Sequence, residues 1–493
     1  MSPKPVRLTA PEWADLLGAK APANWPAELT GVHPDSRRIR AGDLFVAIEG
    51  FEGDGHRFVT DAIRKGAVGI VAAHALPVKV NVPVVMVDDP RSVLTRVSRH
   101  LYGYADERLR LTAVTGTNGK TSVVGYIYQL LELCGKKSGQ LGTVSYRFGE
   151  REIPARRTTP GAPELHEYLK SMADAGCGDC VMEVSSHALD QKRVAALSFD
   201  AAVFTNLSQD HLDYHQDMES YFQAKVELFR CPSVAYRIAG DDEWSRRLSE
   251  ACGQPVLLCG FADDCEVKAE ILQSNLEGIQ ADVQTPWGNG ILQLPQPGEH
   301  NLRNVLQALA VTAGYGLPFS DLLTKISYLK AAPGRLESIP SKCGKVLVDY
   351  AHTPDALENI LRLLKPLTTG KVIVVFGCGG DRDRSKRPLM VRACALADEM
   401  IFTHDNPRTE DPVQIFADMQ TGVQEGDSYQ VIEDRRVAIE KGIFMLREGD
   451  VLLIAGKGHE TVQSIGAMQL PFDDRVVAGE LIAKRESSKT GKC

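Results

Sequence analysis

The chain has 493 residues; 43% are hydrophobic and 24% charged, and 56 basic against 64 acidic side chains leave a net charge of −8. This composition excludes a disordered or low-complexity chain, and the acidic balance argues against a protein that coats nucleic acid. No stretch approaches the roughly 18 apolar residues of a transmembrane helix, and Met1–Pro5 lacks the apolar core of a secretory signal. A cytoplasmic protein with neither membrane nor nucleic acid as partner is expected.

At roughly 100–200 residues per domain the length predicts three domains. The first, residues 1–88, reads as a small α/β domain: Asp35-Ser36-Arg37 precedes a short strand in Gly42–Ala47, and a glycine-rich loop follows at Gly50–Gly55. A boundary near Asp88-Asp89-Pro90 opens the second domain, 89–336, and one near Ala332-Pro333-Gly334 leads to the third, 337–493. Beyond the first boundary, β-branched runs alternate with helical stretches. Strands are predicted at Leu109–Val114, Val181–Val184, Ala201–Phe204, Val346–Val348, Val372–Phe376, Met400–Phe402 and Val451–Ile454. Helices are predicted at Ser122–Leu133, Ala162–Ala175, Asp355–Leu364 and Asp434–Leu446. This alternation predicts the α/β class, with parallel sheets covered on both faces and ligands beyond the carboxyl ends of the strands. Eleven scattered cysteines read as thiols, and Cys177-x-x-Cys180 as a loop cysteine followed by a buried strand cysteine. The polar tail Lys484–Cys493 is expected to fray.

The strongest local signal follows the first of those strands. Gly116-Thr117-Asn118-Gly119-Lys120-Thr121-Ser122 is a strand–turn–helix phosphate loop, shortened because Val114 stands where a glycine usually begins it. Glycines let backbone N–H groups converge on phosphate oxygens, the helix start and Lys120 add positive charge, and Thr121 offers a hydroxyl to Mg²⁺. Glu183, near the end of another strand, is a natural ligand for the same ion. Asp210-His211-Leu212-Asp213 lies beyond a third strand. Lys225 stands out because its helical neighbours at three and four residues are Tyr221, Phe222, Leu228 and Phe229. An ammonium in that apolar stripe must be paired, deprotonated or chemically altered, unless it snorkels to water.

Together these segments resemble the Mur ligase family of ATP-dependent amide-bond synthetases. The motifs are Gly116–Thr121, Glu183–His187, Asp210–Asp213, Lys225, Gly298–Asn304, Pro333–Arg335 and Asp349–Asp355, in order over nearly the whole chain. The resemblance implies a UDP-sugar-binding domain, a central P-loop parallel-sheet ATPase domain and a C-terminal Rossmann-like domain that binds the incoming amino acid. It implies ATP and two Mg²⁺ ions, and a Lys225 carbamylated by CO₂ to N6-carboxylysine. Thr121, Glu183, His211 and that carbamate would be the metal ligands, and Lys120, Lys225, Glu183 and His211 the catalytic set. Asn301, Asn304, Arg335 and Asp349 would join the phosphate loop in contacting the nucleotide.

Ser36, Phe51, Glu52 and Gly53 would contact the UDP end of the sugar substrate, and Thr158, Thr159, Ser185, Gln191 and Arg193 its muramoyl dipeptide. Arg157 departs from the family, where asparagine often precedes the two threonines. In the third domain, Arg382, the run Asp405-Asn406-Pro407-Arg408, Gly456 and Glu460 resemble the site of members that add meso-diaminopimelate to UDP-N-acetylmuramoyl-L-Ala-D-Glu in cytoplasmic peptidoglycan synthesis. Arg408 offers a planar fork to the extra carboxylate that lysine lacks, and Glu460 a partner for the ammonium. A monomer is expected. Lysine-adding and folylpolyglutamate synthase-like ligases are the alternatives within the fold, and a regulatory P-loop NTPase lies outside it.

Overall fold

Each apolar run predicted from the sequence becomes a strand and each predicted helix forms, with ends shifted by no more than a few residues. The computed structural model describes residues 5–50, 53–210 and 212–488. They fall into two units: Met1–Glu270 with Asp282–Leu292 and Arg303–Ile326, and Ile271–Ala281 with Gln293–Leu302 and Ser327–Cys493. Among the described residues no helix is long and apolar enough to cross a membrane.

The first unit begins with a four-stranded parallel sheet, β1 (Gly31–His33), β2 (Asp43–Val46), β3 (Gly69–Ala72) and β4 (Val84–Met86), paired in chain order. Helix α1 (Pro90–Leu101) packs on it through Val93, Leu94, Val97 and Leu101. Its start is set by Asp89, whose side chain accepts from the Ser92 N–H, and by Pro90, whose missing N–H removes nothing at a first turn.

A larger sheet follows, with its parallel part built from β5 (Arg110–Thr115), β6 (Ser138–Leu141), β7 (Asp179–Glu183), β8 (Ala201–Phe204), β9 (Tyr236–Ala239) and β10 (Leu257–Gly260). The order β6-β7-β5-β8-β9-β10 places β5 between β7 and β8. Five of the six β5 residues are buried, as a strand covered on both faces requires. The covering helices include α2 (Lys120–Leu133), α3 (Ala162–Asp174) and α5 (Met218–Arg230), with a short α4 (Ser186–Asp190) after β7. The register sets Glu183 beside Val114 and Phe204 beside Thr115, so the ends of three strands meet at one level.

In the second unit β11 (Lys345–Asp349), β12 (Val372–Phe376), β13 (Glu399–Phe402), β14 (Tyr429–Val431) and β15 (Val451–Ala455) form a parallel sheet ordered β11-β15-β12-β13-β14. Glu337–Ile339 adds an antiparallel edge beside β11. Helices α6 (Arg435–Met445) and α7 (Asp474–Ser488) pack against each other on one face. The tail departs from expectation: α7 continues through Ser488 because the Arg485 guanidinium, 4% exposed, donates to the carbonyls of Ile443 and Leu446. Among the described residues nine cysteines are free thiols, Cys177 and Cys180 among them, with burial pushing the Cys180 thiol up. Cys343 departs from the expected thiols, being disulfide-bonded.

His166, on α3, is 2% exposed, and burial lowers its imidazole to about 4. The unfolded chain therefore binds a proton near pH 6.5 that the folded chain refuses until about 4. Folding stability should fall as pH drops through that window, by up to about 3 kcal/mol from this residue. Urea titrations of wild type and His166→Phe across the window should show a shallower acid slope in the variant.

Candidate active site

The phosphate loop needs glycine at two places. Gly116 has φ +138, and a Cβ there would lie 1.9 Å from Thr205 Oγ1; Gly119 has φ +85, and its Cβ would lie 2.6 Å from Asn304 Oδ1. Between them the loop is fastened to the end of β8. Thr117 N–H donates to Asn206 O and Asn118 N–H to Asn206 Oδ1, each at 3.0 Å, while Thr205 Oγ1 donates to Asn118 O at 2.5 Å. Lys120 folds over the loop, its Nζ donating to Gly116 O at 2.9 Å and Thr117 O at 2.7 Å. Thr121 and Ser122, in the first turn of α2, are buried.

Lys225 reaches the same loop from α5. It is 1% exposed, its Nζ donates to Gly116 O at 3.2 Å, and it stands 4.3 Å from the centre of the Tyr221 ring. Burial pushes its ammonium well below the usual lysine range, the Lys120 charge acts the same way, and Asp210 opposes both. Lysine in the apolar stripe is therefore buried rather than snorkelling. Its amine is held toward the neutral form, which can attack CO₂ where an ammonium cannot.

Glu183 is 1% exposed at the end of β7, one strand from the loop. Thr143 holds both of its oxygens, the backbone N–H at 2.8 Å and the hydroxyl at 2.9 Å. The sequence reading missed this threonine; its signal was weak, a polar residue just beyond an apolar strand. Both predicted donors, the Glu183 carboxylate and the Thr121 hydroxyl, are oxygens, the type that suits a hard divalent cation. His211 lies outside the described residues, as do Phe51 and Glu52.

The residues predicted for the dipeptide converge in one network. Thr159 Oγ1 donates to Glu183 O at 2.9 Å and accepts from the Ser185 N–H at 3.0 Å. Thr158 Oγ1 lies 3.1 Å from Thr143 Oγ1, within hydrogen-bond reach. The Arg193 guanidinium donates to Thr159 O at 2.9 Å and to Gln191 Oε1 at 2.6 Å. Burial lowers Arg193 to about 10, with the Arg157 charge adding to it; among the described residues its hydrogen-bond partners are a carbonyl and an amide, and the group suits an anionic ligand. Beside the network lies a cavity of about 830 Å³ lined by Ile48, Gly50, Arg91, Gln191 and Tyr214 among others. Ser36 is buried in the first sheet's layer, with its carbonyl accepting from Lys65, and Gly53 closes the Gly50 turn.

The second unit brings another cluster to its strand ends. Asp405, Asn406, Pro407 and Arg408 follow β13, and Gly456 and Glu460 follow β15. Asn406 donates to Glu460 Oε2 at 2.8 Å. Arg408 is held in the left-handed region at φ +54 by backbone bonds to Ser464 and Gly466, and its guanidinium donates to Gly380 O at 2.7 Å, alongside Arg382. Burial raises the Asp405 carboxyl, against the pull of Arg435 and Lys457. Two supporting side chains were missed in the sequence. Lys457, fully buried, donates to Asn406, Glu460 and Val462. Arg435 pairs with Asp474 at 2.7 Å and donates to His404 O and Ala455 O, bracing both strand ends. Asp349 accepts from the Leu336 and Ala351 N–H groups at 2.7 Å each, and Arg335 lies over the Tyr350 ring. Asn301 donates to Pro297 O within this unit, while Asn304 sits beside Gly119 in the first.

Family models match three segments: the Mur ligase family catalytic domain over residues 28–102, the Mur ligase middle domain over 114–312, and the Mur ligase glutamate ligase domain over 334–458. A curated relative from Geobacillus thermodenitrificans, a UDP-N-acetylmuramoyl-L-alanyl-D-glutamate–2,6-diaminopimelate ligase, is 42% identical over 470 residues, 93% of this chain and 96% of its own. The chain belongs to the Mur ligase family. A solved structure of a UDP-N-acetylmuramoyl-L-alanyl-D-glutamate–2,6-diaminopimelate ligase superposes with a TM-score of 0.73 at 31% identity, over 98% of this chain and 100% of that one. The MurF ligase of Thermotoga maritima, solved in complex with ADP, shares the fold at a TM-score of 0.59 and 19% identity, over 92% and 96% of the two chains.

In this Mur ligase Gly116→Ala should place a methyl into Thr205 and the Asn206 backbone at a φ that only glycine adopts freely. Turnover that depends on ATP is expected to fall by about 100-fold or more, with the circular dichroism spectrum unchanged.

Proposed function

We propose that this Mur ligase joins meso-diaminopimelate to UDP-N-acetylmuramoyl-L-Ala-D-Glu at the expense of ATP, as a cytoplasmic step of peptidoglycan synthesis. The observation that supports the choice of amino acid is the Arg408 guanidinium, fixed on Gly380 O near Arg382, in the run after one strand whose Asn406 bonds Glu460 from another. A planar fork is matched to a second carboxylate, which diaminopimelate has and lysine lacks. Glu460, braced by Lys457, is the anionic partner for the distal ammonium.

ATP lies along Gly116–Ser122 with Asn301, Asn304, Arg335 and Asp349 as its further contacts. Lys120 exchanges its loop carbonyls for phosphate oxygens and neutralises charge on the transferring group. Thr121, Glu183, His211 and a carbamylated Lys225 would hold two Mg²⁺ ions, which when bound supply positive charge to the phosphates. Ser36 and the Phe51–Gly53 loop take the UDP end. Thr158, Thr159, Ser185, Gln191 and Arg193 orient the dipeptide, so that the D-Glu γ-carboxylate attacks the γ-phosphorus and ADP leaves. The amine of diaminopimelate then attacks the acyl phosphate, and phosphate leaves as the amide forms. No protein nucleophile is needed; the residues position the reactants and screen charge.

Phosphate release should require ATP, the UDP-dipeptide and meso-diaminopimelate together, with L-lysine a poor substitute. Release with lysine alone would turn the reading to the lysine-adding ligases. Release with no amino acid would turn it to a nucleotide switch. Lys225→Ala is expected to lose activity by about 100-fold or more, and added bicarbonate or a short carboxylic acid should partly restore it. Full activity in that variant without additive would remove the carbamate from the mechanism.

A further inference from the structure

Helix α4 ends in a turn whose central residue, Lys192, has φ +55. The Lys192 N–H bonds to Leu189 O and the Arg193 N–H to Ala188 O, the pair of bonds that closes a helix through a left-handed residue. Glycine is the residue such a position favours, because a Cβ is strained there. Lysine stands there instead, and α1 holds it at both ends. Its Nζ lies 2.5 Å from Oδ2 of Asp89, the N-cap of α1, and its carbonyl accepts from Thr95 Oγ1 at 2.9 Å. Thr95 is 1% exposed, so this bond is sheltered from water.

Burial works to raise the Asp89 carboxyl, but hydrogen bonds from Lys192 and Ser92 outweigh it and hold the group at about 2, so the pair stays ionised at neutral pH. Arg91, on the same turn of α1, donates to Glu49 O at 2.7 Å, where the chain enters the Gly50–Gly53 loop. The first turns of one helix thus grip both Glu49 and the Gln191–Arg193 turn, and the cavity is lined from both sides, by Ile48 and Gly50 and by Asp190 and Gln191.

We infer that Lys192 is a positioning residue. Tied to Asp89 and Thr95, it sets Gln191 and Arg193 at a fixed offset from the loop after β2, and through them it sets the affinity for the UDP-linked substrate. This rests on the assignment of Gln191 and Arg193 to that substrate.

Lys192→Gly suits the backbone and removes only the tether. Asp89→Asn keeps a capping oxygen and removes the charge, and Lys192→Arg keeps the charge. Lys192→Gly and Asp89→Asn are each expected to raise KM for UDP-N-acetylmuramoyl-L-Ala-D-Glu by about two- to five-fold, the scale of a partly exposed ion pair. Their kcat, KM for ATP and Tm should stay near wild type, the pattern of lost ground-state binding. Lys192→Arg should match wild type, and the double variant should be no worse than either single one. A wild-type KM in Lys192→Gly, or a rise shared equally by ATP, overturns the inference. Wild-type enzyme that releases no phosphate with this substrate overturns the functional reading beneath it, before any variant is compared.

Discussion

One backbone carbonyl organises the nucleotide side of this protein. Gly116 O accepts from Lys120 at 2.9 Å and from Lys225 at 3.2 Å, so two lysine side chains are drawn to one acceptor. Lys120 sits at a helix start, where charge is needed for phosphate. Lys225 is packed among aromatic rings, and the combination of burial with a neighbouring cation favours its neutral amine. The chemistry proposed for that amine fits the packing, since burial favours the neutral form, the one that reacts with CO₂. The loop geometry beneath it admits only glycine, because Thr205 and Asn206 crowd the space where a side chain would begin.

The charges at the candidate sites are handled differently in the two units. In the first, the partners of Arg193 among the described residues are an amide and a carbonyl, which suits it to an anionic ligand. In the second, the charges behind the strand ends are closed on themselves. Arg435 and Asp474 are both fully buried and paired, and Lys457 has three acceptors. Breaking such a buried pair costs about 3–5 kcal/mol, so these residues fix the geometry of Asn406 and Glu460 rather than offering charge to substrate.

Much of the fold was legible in the sequence. A buried parallel strand must be apolar along its length, and Ala201–Phe204 and Val372–Phe376 have the bounds their composition predicts. The C-terminal helix was not legible beyond Lys484, because the carbonyls that hold Arg485 come from a helix some forty residues earlier. The same limit explains the missed site residues. Thr143 and Arg435 carry no motif of their own, and Lys457 lies within the Gly456–Glu460 run without a role of its own there; each matters because the fold sets a strand end beside it.

The sequence by itself supplied the candidate groups: the phosphate loop, the carboxylate after a strand, the lysine in an apolar stripe and the arginine that ends Asp-Asn-Pro-Arg. These are local chemistry, since residue type and spacing decide which atoms are available. Only the tertiary structure decided how they are held: Glu183 by Thr143, Asn406 and Glu460 by Lys457, and the Gln191–Arg193 turn by Asp89 and Thr95. The Thr143–Glu183 and Asn406–Glu460 contacts join residues that are adjacent because parallel strands, paired out of chain order, bring their carboxyl ends to one edge, and the Asp89–Lys192 contact joins the ends of two helices 103 residues apart in the chain.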